Sequence, residues 1–150
     1  MRLTVYTDYS LRMLMYLAAK NDGLATIAEV ADAYGISKAH LTKVAHQLGL
    51  AGYVATVRGR GGGLRMARPA SGISLGDVVR RTEPDMALVP CFEPVHDACP
   101  IAPACGLRGA LYEARQAFLA VLDRYSVADL VKRRGEIAAL LGGLPTRSVA

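Results

Sequence analysis

Two short amphipathic segments joined by a glycine turn constrain the fold of this chain more than any other feature. Thr26 begins a predicted helix over residues 27–34, Gly35 ends it, and Ser37 begins a second predicted helix from Lys38 to about Leu50. In the second segment the apolar residues fall on one helical face and leave the polar residues on another. A helix, a short glycine-containing turn and a second helix form the helix-turn-helix pattern.

The hydrophobic period changes directly after this pair. Residues 53–58 are rich in β-branched and aromatic side chains and predict a strand, residues 59–63 are a glycine-rich turn, and residues 64–68 alternate apolar and basic side chains as a returning strand. A basic hairpin behind a helix-turn-helix is a wing. The predicted fold class is therefore mainly α with a small β-hairpin wing: a winged helix-turn-helix DNA-binding lobe plus a long dimerisation helix.

The charge distribution supports a polyanionic partner. The net charge is +5, yet none of the 13 acidic residues lies between Ala33 and Gly76. Cations without competing carboxylates suit the phosphates of double-stranded DNA, although a solvated basic face or a protein-binding surface gives a similar pattern. The expected DNA-binding residues come from the start of the second helix and from the wing: Ser37, Lys38, His40, Thr42, Lys43, Arg58, Arg60 and Arg65.

The remaining segments predict more helices around a proline-broken loop. Thr7 or Asp8 is expected to cap a first helix, Ser74 a helix to Thr82, and a last helix is expected over residues 127–141. Residues 107–125 carry apolar side chains spaced by four and three, as in a coiled coil, which predicts a homodimer, with packing of this short helix on the chain's own lobe as the alternative. We expect a DNA-binding domain at 1–82, a cysteine-bearing loop at 83–106, a dimerisation helix and C-terminal helix at 107–142, and a frayed tail at 143–150.

Three cysteines, Cys91, Cys99 and Cys105, all lie in the proline-broken loop. An odd count cannot pair completely, and clustered thiols in a reducing compartment more often indicate metal or redox chemistry than disulfides. The wide spacing suits an iron–sulfur cluster, while structural zinc or three inert thiols remain alternatives. Clusters and tetrahedral zinc both need a fourth ligand, for which the nearby donors are Glu93, His96 and Asp97, with Arg108 an implausible ligand.

Several classes of protein are disfavoured. No apolar run is long enough to span a bilayer, and the first residues lack the pattern of a signal peptide, so a cytoplasmic protein without a membrane partner is expected. The sequence also has no CxxC pair, no phosphate-binding glycine motif and no nucleophile–base pair, so an enzyme such as a thiol oxidoreductase is not expected.

The combined motifs resemble a known superfamily. The run from Gly35 to Val54, the segment from Val57 to Pro69, the opening residues 6–12 and the three-cysteine loop before a long helix are similar to the winged-helix iron–sulfur regulators that include IscR and NsrR. In members like IscR a histidine three residues after the third cysteine is the fourth cluster ligand, and Arg108 stands there in this chain. In members like NsrR the fourth ligand is an aspartate from the first helix of the partner subunit, and Asp8 stands at the matching place.

The resemblance implies an NsrR-type nitric-oxide-sensing repressor. It implies a [4Fe-4S] cluster held by Cys91, Cys99, Cys105 and Asp8 of the partner subunit, and release of the DNA operator when nitric oxide destroys the cluster. Arg12, one helical turn after Asp8, is expected to pair with Asp8 or with a carboxylate near the cluster, with an ordinary solvated charge as the alternative. Asp8 equally suits a simpler role, since a carboxylate in a first helical turn is stabilised by the helix dipole. The rivals are a regulator of the same fold that senses iron–sulfur or redox status through a [2Fe-2S] cluster, and a DNA-binding module with structural zinc.

Overall fold

A computed structural model describes residues 2–20, 23–92 and 99–144. This part of the chain is mainly helical with a single two-stranded antiparallel hairpin, as predicted. Its elements are, in chain order, α1 (Val5–Lys20), α2 (Ile27–Tyr34), α3 (Lys38–Leu50), β1 (Val54–Val57), β2 (Gly63–Met66), α4 (Leu75–Thr82), α5 (Gly106–Asp123), α6 (Val127–Leu130) and α7 (Arg134–Leu140).

Helix α1 is the central element of the core. It packs against α3, α4, α6 and α7 and buries the side chains of Met13, Leu14, Tyr16 and Leu17 almost completely. The predicted cap at Thr7 or Asp8 is wrong, because the helix begins at Val5 and the Thr7 amide donates to Thr4 Oγ1 at 3.2 Å. Asp8 is nevertheless in the first turn, where its charge is favourable against the helix dipole.

Local side-chain chemistry sets the helix-turn-helix as predicted. Thr26 and Glu29 form a reciprocal capping box at the start of α2, with the Thr26 amide donating to Glu29 Oε2 at 2.6 Å. Gly35 ends α2 in the left-handed conformation, with φ of 64°, which a glycine adopts without strain. Ser37 and Ser74 precede α3 and α4 as predicted, but neither side chain makes the capping hydrogen bond.

The hairpin is shorter than predicted and is anchored at its base. Val54 pairs with Met66 and Val57 with Gly63, and residues 58–62 form the turn. Leu64 is buried and exchanges two backbone hydrogen bonds of 2.9 and 2.7 Å with Ala25, which lies just before α2. The wing is therefore joined to the segment that leads into the helix-turn-helix.

The C-terminal part differs from prediction in one respect. The single helix expected over residues 127–141 is wrong, because the chain forms α6 and α7 with a break at 131–133. Val127 is fully buried and Ser126 pairs with Ser74, whereas Arg134 donates to the Ala19 carbonyl at the end of α1. Two separate docking contacts on the core thus give the two short helices different anchors. Residues 145–150, most of the expected frayed tail, lie outside the described residues.

The rest of the described chain covers little of the apolar surface of helix α5. Leu119 is the one buried residue of this fully described helix, and the predicted seam leaves Leu107 66%, Val121 44% and, just beyond the helix, Tyr125 46% exposed. Along residues 2–20, 23–92 and 99–144 no helix combines the length and hydropathy needed to cross a bilayer.

Candidate DNA-binding surface and cysteine site

The start of α3 presents the polar residues predicted to contact DNA. Leu41, Val44, Ala45 and Leu48 are buried against the core, which turns the opposite face of the helix outward. The residues on that outward face are all exposed: Ser37, Lys38, His40, Thr42 and Lys43.

Two of these side chains make local contacts. Thr42 Oγ1 donates to the Lys38 carbonyl at 2.8 Å, which fixes the rotamer of the hydroxyl and leaves its lone pairs as acceptors. The His40 ring lies 6.2 Å from the ring of Tyr9 on α1, measured between centroids. Tyr9 thus connects the first helix to the outward face of α3.

The wing presents exposed cations on the same basic stretch of the chain. Arg58, Arg60 and Arg65 are all exposed, the first two in or beside the turn and the third on β2. Gly59 and Gly61 have φ of 100° and 79°, which permits the tight turn that displays the arginines. Arg68 differs, since its guanidinium lies 4.8 Å from the centre of the Tyr53 ring and so is engaged with the lobe itself.

Asp8 and Arg12 form the pair that the sequence suggested. Arg12 Nε lies 2.9 Å from Asp8 Oδ2, one helical turn away, and both side chains are about half exposed. The Arg12 guanidinium also lies 5.8 Å from the centre of the Tyr34 ring on α2. A surface pair of this kind contributes about 0.3–0.5 kcal/mol, so Asp8 is held only weakly where it is.

The three cysteines occupy three different local environments. Cys91 lies in a single 3-10 turn at 90–92 and is half-buried, Cys99 is exposed, and Cys105 is half-buried; all three are free thiols. Among the described residues no three His, Cys, Asp or Glu side chains lie close enough together to hold a metal ion. Glu93, His96 and Asp97, the nearby donors considered as fourth ligands, lie outside the described residues.

Cys105 has the environment best suited to a ligand sulfur. It is the N-cap of the 18-residue helix α5, and its Sγ accepts the backbone N–H of Arg108 at 3.4 Å. An N–H donated to sulfur is a common means of tuning a metal–thiolate site. The donor chemistry therefore fits a thiolate-bound iron–sulfur cluster.

The surroundings of Cys105 include residues that sequence reasoning missed. A cavity of about 360 Å³ is lined by Cys105 together with Phe92, Arg108, Gly109, Tyr112 and Arg115. Arg108, an implausible ligand by its chemistry, is one of the residues that line this cavity. The spacing of Tyr112 and Arg115 on one predicted helix was visible in the sequence, whereas the proximity of Phe92 depends on the fold.

Comparison with known proteins places this arrangement in a family. Residues 3–133 match the family described as Rrf2, iron-dependent transcriptional regulator. The chain belongs to the Rrf2 family. This Rrf2 protein is 51% identical over 142 residues to the HTH-type transcriptional regulator NsrR of Bacillus subtilis (strain 168), a match that spans 94% of this chain and 97% of that relative.

Solved structures share the fold of this Rrf2 chain. The structure of CymR (YrzC), the global cysteine regulator of B. subtilis, aligns with a TM-score of 0.72 at 25% identity over 89% of this chain and 98% of that one. T. potens IscR aligns with a TM-score of 0.72 at 23% identity, over 91% and 90%. The predicted winged-helix fold and superfamily are confirmed, and the chain is a DNA-binding transcriptional regulator rather than an enzyme.

Proposed function

We propose that this Rrf2 protein is a cytoplasmic homodimeric repressor whose iron–sulfur cluster senses nitric oxide. Residues 1–82 bind the operator, residues 83–106 hold the cluster, and residues 107–142 form the dimer. The observation that carries the proposal is the position of Cys105, whose sulfur caps the N-terminus of α5, the helix that leaves its apolar stripe uncovered. One residue thereby belongs to both the metal site and the dimer helix.

The DNA-binding part of the proposal rests on α3 and the wing. His40 and Thr42 have side chains that hydrogen-bond base edges in a major groove, while Lys38 and Lys43 suit phosphates. Arg58, Arg60 and Arg65 are exposed on a hairpin whose base is fixed to the lobe through Leu64, so their positions relative to α3 are set by the fold. The two elements together form one basic surface for a duplex.

The cluster part of the proposal assigns Cys91, Cys99 and Cys105 as thiolate ligands and Asp8 of the partner subunit as the fourth. A carboxylate oxygen is a harder and more exchangeable donor to iron than a thiolate, so a [4Fe-4S] cluster held by this ligand set would have one iron with an exchangeable ligand, which is the chemistry that nitric oxide sensing needs. Arg108 and Arg115 bring positive charge to the Cys105 cavity. Asp8 is half-exposed and weakly paired, so it is available to a second chain.

The coupling between cluster and DNA follows from the neighbours of Asp8. Arg12, its ion-pair partner, contacts Tyr34 on α2, and Tyr9, the next residue, contacts His40 on α3. Asp8 is thereby connected to both helices of the DNA-reading motif, so a change in its position moves the DNA-binding lobe as one unit relative to the partner subunit. Two separate sites and an element with two arrangements between them are what allosteric control requires.

The dimer follows from the uncovered stripe on α5. Leu107 and Val121 on α5, and Tyr125 just beyond its end, are exposed at spacings of 14 and four residues, which place them along one face of a heptad pattern. A second copy of the same helix covers such a stripe and brings Asp8 of the partner subunit within the same assembly. It also sets the separation of two α3 helices against two half-sites about one turn of DNA apart.

The test is purification without oxygen, followed by iron and sulfide analysis, Mössbauer spectroscopy and operator binding before and after nitric oxide. We expect a coloured dimer with about four irons per chain, tight operator binding, and loss of that binding after nitric oxide. Two irons per chain would instead favour a [2Fe-2S] regulator of the same fold. Stoichiometric zinc without iron, or a colourless protein that binds the operator equally with and without nitric oxide, would overturn the proposal.

A further inference from the structure

Arg115 lies between two aromatic rings at the Cys105 cavity. Its guanidinium carbon is 5.0 Å from the centre of the Phe92 ring and 5.0 Å from the centre of the Tyr112 ring. A guanidinium over an aromatic face is attracted by the electron density of the ring. Arg115 makes no ion pair with a carboxylate among the described residues, so its described side-chain partners are the two rings.

This stack of Phe92, Arg115 and Tyr112 connects the segment of the first cysteine to that of the third. Phe92 directly follows Cys91 in the turn at 90–92, and Tyr112 and Arg115 are one turn apart on α5, whose N-cap is Cys105. The 12 residues between Phe92 and Cys105 include the undescribed segment 93–98, so the sequence alone does not keep the two ends together. Phe92, Cys105, Tyr112 and Arg115 all line the same cavity.

We infer that Arg115 is a positioning residue that holds the turn at 90–92 against α5 and so keeps Cys91 and Cys105 beside one cavity. The inference deepens the proposed function and rests on it, because the use of this arrangement is to present two of three thiolates before cluster binding. A ligand pair held in place loses less conformational entropy when it binds metal. An ordinary solvated arginine at the same position would have no effect on either cysteine.

The test that does not require a cluster is alkylation of the full-length, iron-depleted chain with N-ethylmaleimide, resolved by mass spectrometry. We expect Arg115→Gln and Phe92→Leu to raise the rate at Cys91 about three- to ten-fold, the change that follows when one or two such cation–ring interactions are removed. The exposed Cys99 is the internal control and should react at an unchanged rate. Phe92→Tyr, which keeps an aromatic ring, should behave like the wild type.

A matched control separates the stack from a simple change of charge. Arg124→Gln removes the same charge at the C-cap of α5, where the structure shows no side-chain partner among the described residues. We expect this variant to alkylate like the wild type. Unchanged Cys91 rates in both Arg115→Gln and Phe92→Leu would overturn the inference, and so would equal increases at all three cysteines, which indicate general loosening of the chain.

The second measurement addresses the cluster. In chains reconstituted without oxygen we expect faster loss of visible absorbance to an iron chelator in Arg115→Gln and Phe92→Leu, with wild-type behaviour in Phe92→Tyr and Arg124→Gln. Equal rates in all variants would overturn the positioning role toward the cluster. A wild-type chain that takes up no iron would overturn the proposed function, while the alkylation pattern would still decide whether the stack holds Cys91 in place.

Discussion

Arg80 on α4 binds Asp123 at the end of α5 through two parallel hydrogen bonds of 2.7 Å each. The hydrogen bonds lower the pKa of the Asp123 carboxyl and raise the pKa of the Arg80 guanidinium. Bidentate pairs of this kind fix orientation as well as distance. The last helix of the predicted DNA-binding domain is therefore joined in a defined geometry to the helix that carries Cys105.

Gly76 leaves room for this pair, and its replacement is the first prediction. A Cβ atom at residue 76 would lie 1.8 Å from Asp123 Oδ1 and 2.8 Å from Arg80 Nη1, so Gly76→Ala must displace the pair. Alanine is usually favoured over glycine inside a helix, but here we expect the disrupted surface pair to cancel that gain, so that the urea midpoint of Gly76→Ala falls below that of a glycine-to-alanine change at an open helical position. Gly135→Ala on α7, where an added Cβ meets nothing within 4 Å, should not destabilise the chain. Equal midpoints for both variants would contradict the prediction.

Asp8→Ala should alter the cluster without destabilising the fold. Removal of its surface pair with Arg12 should change the free energy of unfolding by less than about 1 kcal/mol. We expect a cluster that is lost faster to chelator or that reacts differently with nitric oxide, followed by visible absorbance. Asp77→Ala is the matched control, because Asp77 is also a helix-surface carboxylate, paired with Arg80 at 3.7 Å. Wild-type cluster spectra and reactivity in Asp8→Ala would show that the cross-subunit ligand is wrong.

Arg60→Ala should weaken operator binding, because we propose that this exposed cation binds a DNA phosphate. Each neutralised phosphate releases counterions, so the plot of log affinity against log salt should become shallower by about 0.9 when Arg60 no longer binds its phosphate. Fluorescence anisotropy with a labelled operator at several salt concentrations measures the slope. The exposed Arg124, changed to Ala, controls for net charge and should leave the slope as in the wild type. An unaltered slope in Arg60→Ala would show that this residue does not contact a DNA phosphate.

The stability of the fold should decrease at acidic pH because Asp129, in the capping box of α6, becomes protonated. Hydrogen bonds from Lys132 and Ser126 hold the pKa of the Asp129 carboxyl well below its usual value of 3.8. A carboxyl with a depressed pKa in the folded state stabilises the fold above its unfolded pKa, and this contribution is lost as the pH falls through the folded value. We expect the melting temperature of Asp129→Asn to depend less on pH than that of the wild type from about pH 5 downward. Asp32→Asn, at an exposed residue of α2, is the control. Parallel curves of melting temperature against pH for the wild type and Asp129→Asn would contradict the prediction.

Short-range chemistry made most of the DNA-binding lobe predictable. The bounds of α3 and α4 match the predicted segments because apolar spacing and turn residues lie within the same short stretch of chain. The predicted cap of α1 is wrong because the Thr7 amide donates to the hydroxyl of Thr4, so that Thr4, rather than Thr7 or Asp8, caps the first turn. The break between α6 and α7 depends on where Ser126 and Arg134 dock on distant residues, and no local pattern contains that information.

The candidate site was predictable in its donors and not in its surroundings. The Asp8–Arg12 pair follows from helical spacing, and the cysteines are evident from their residue type. The contact of Arg115 with Phe92 joins residues 23 positions apart across a loop rich in proline, so it arises only from the tertiary structure. Assignment of ligand roles to Cys91, Cys99, Cys105 and Asp8 stays a prediction for the experiments above.

The two hydrogen bonds between Ala25 and Leu64 have a consequence for operator choice. Because these bonds fasten the hairpin to the segment that leads into the helix-turn-helix, each subunit of the proposed dimer would engage a duplex with a footprint of constant shape. A signal that rearranges the loop at 83–106 then leaves each half-site's preferred bases unaltered and changes only the tolerated spacing between half-sites. Operators with one or two base pairs inserted at the centre should therefore discriminate between signalling states, whereas base changes within a half-site should weaken both states alike.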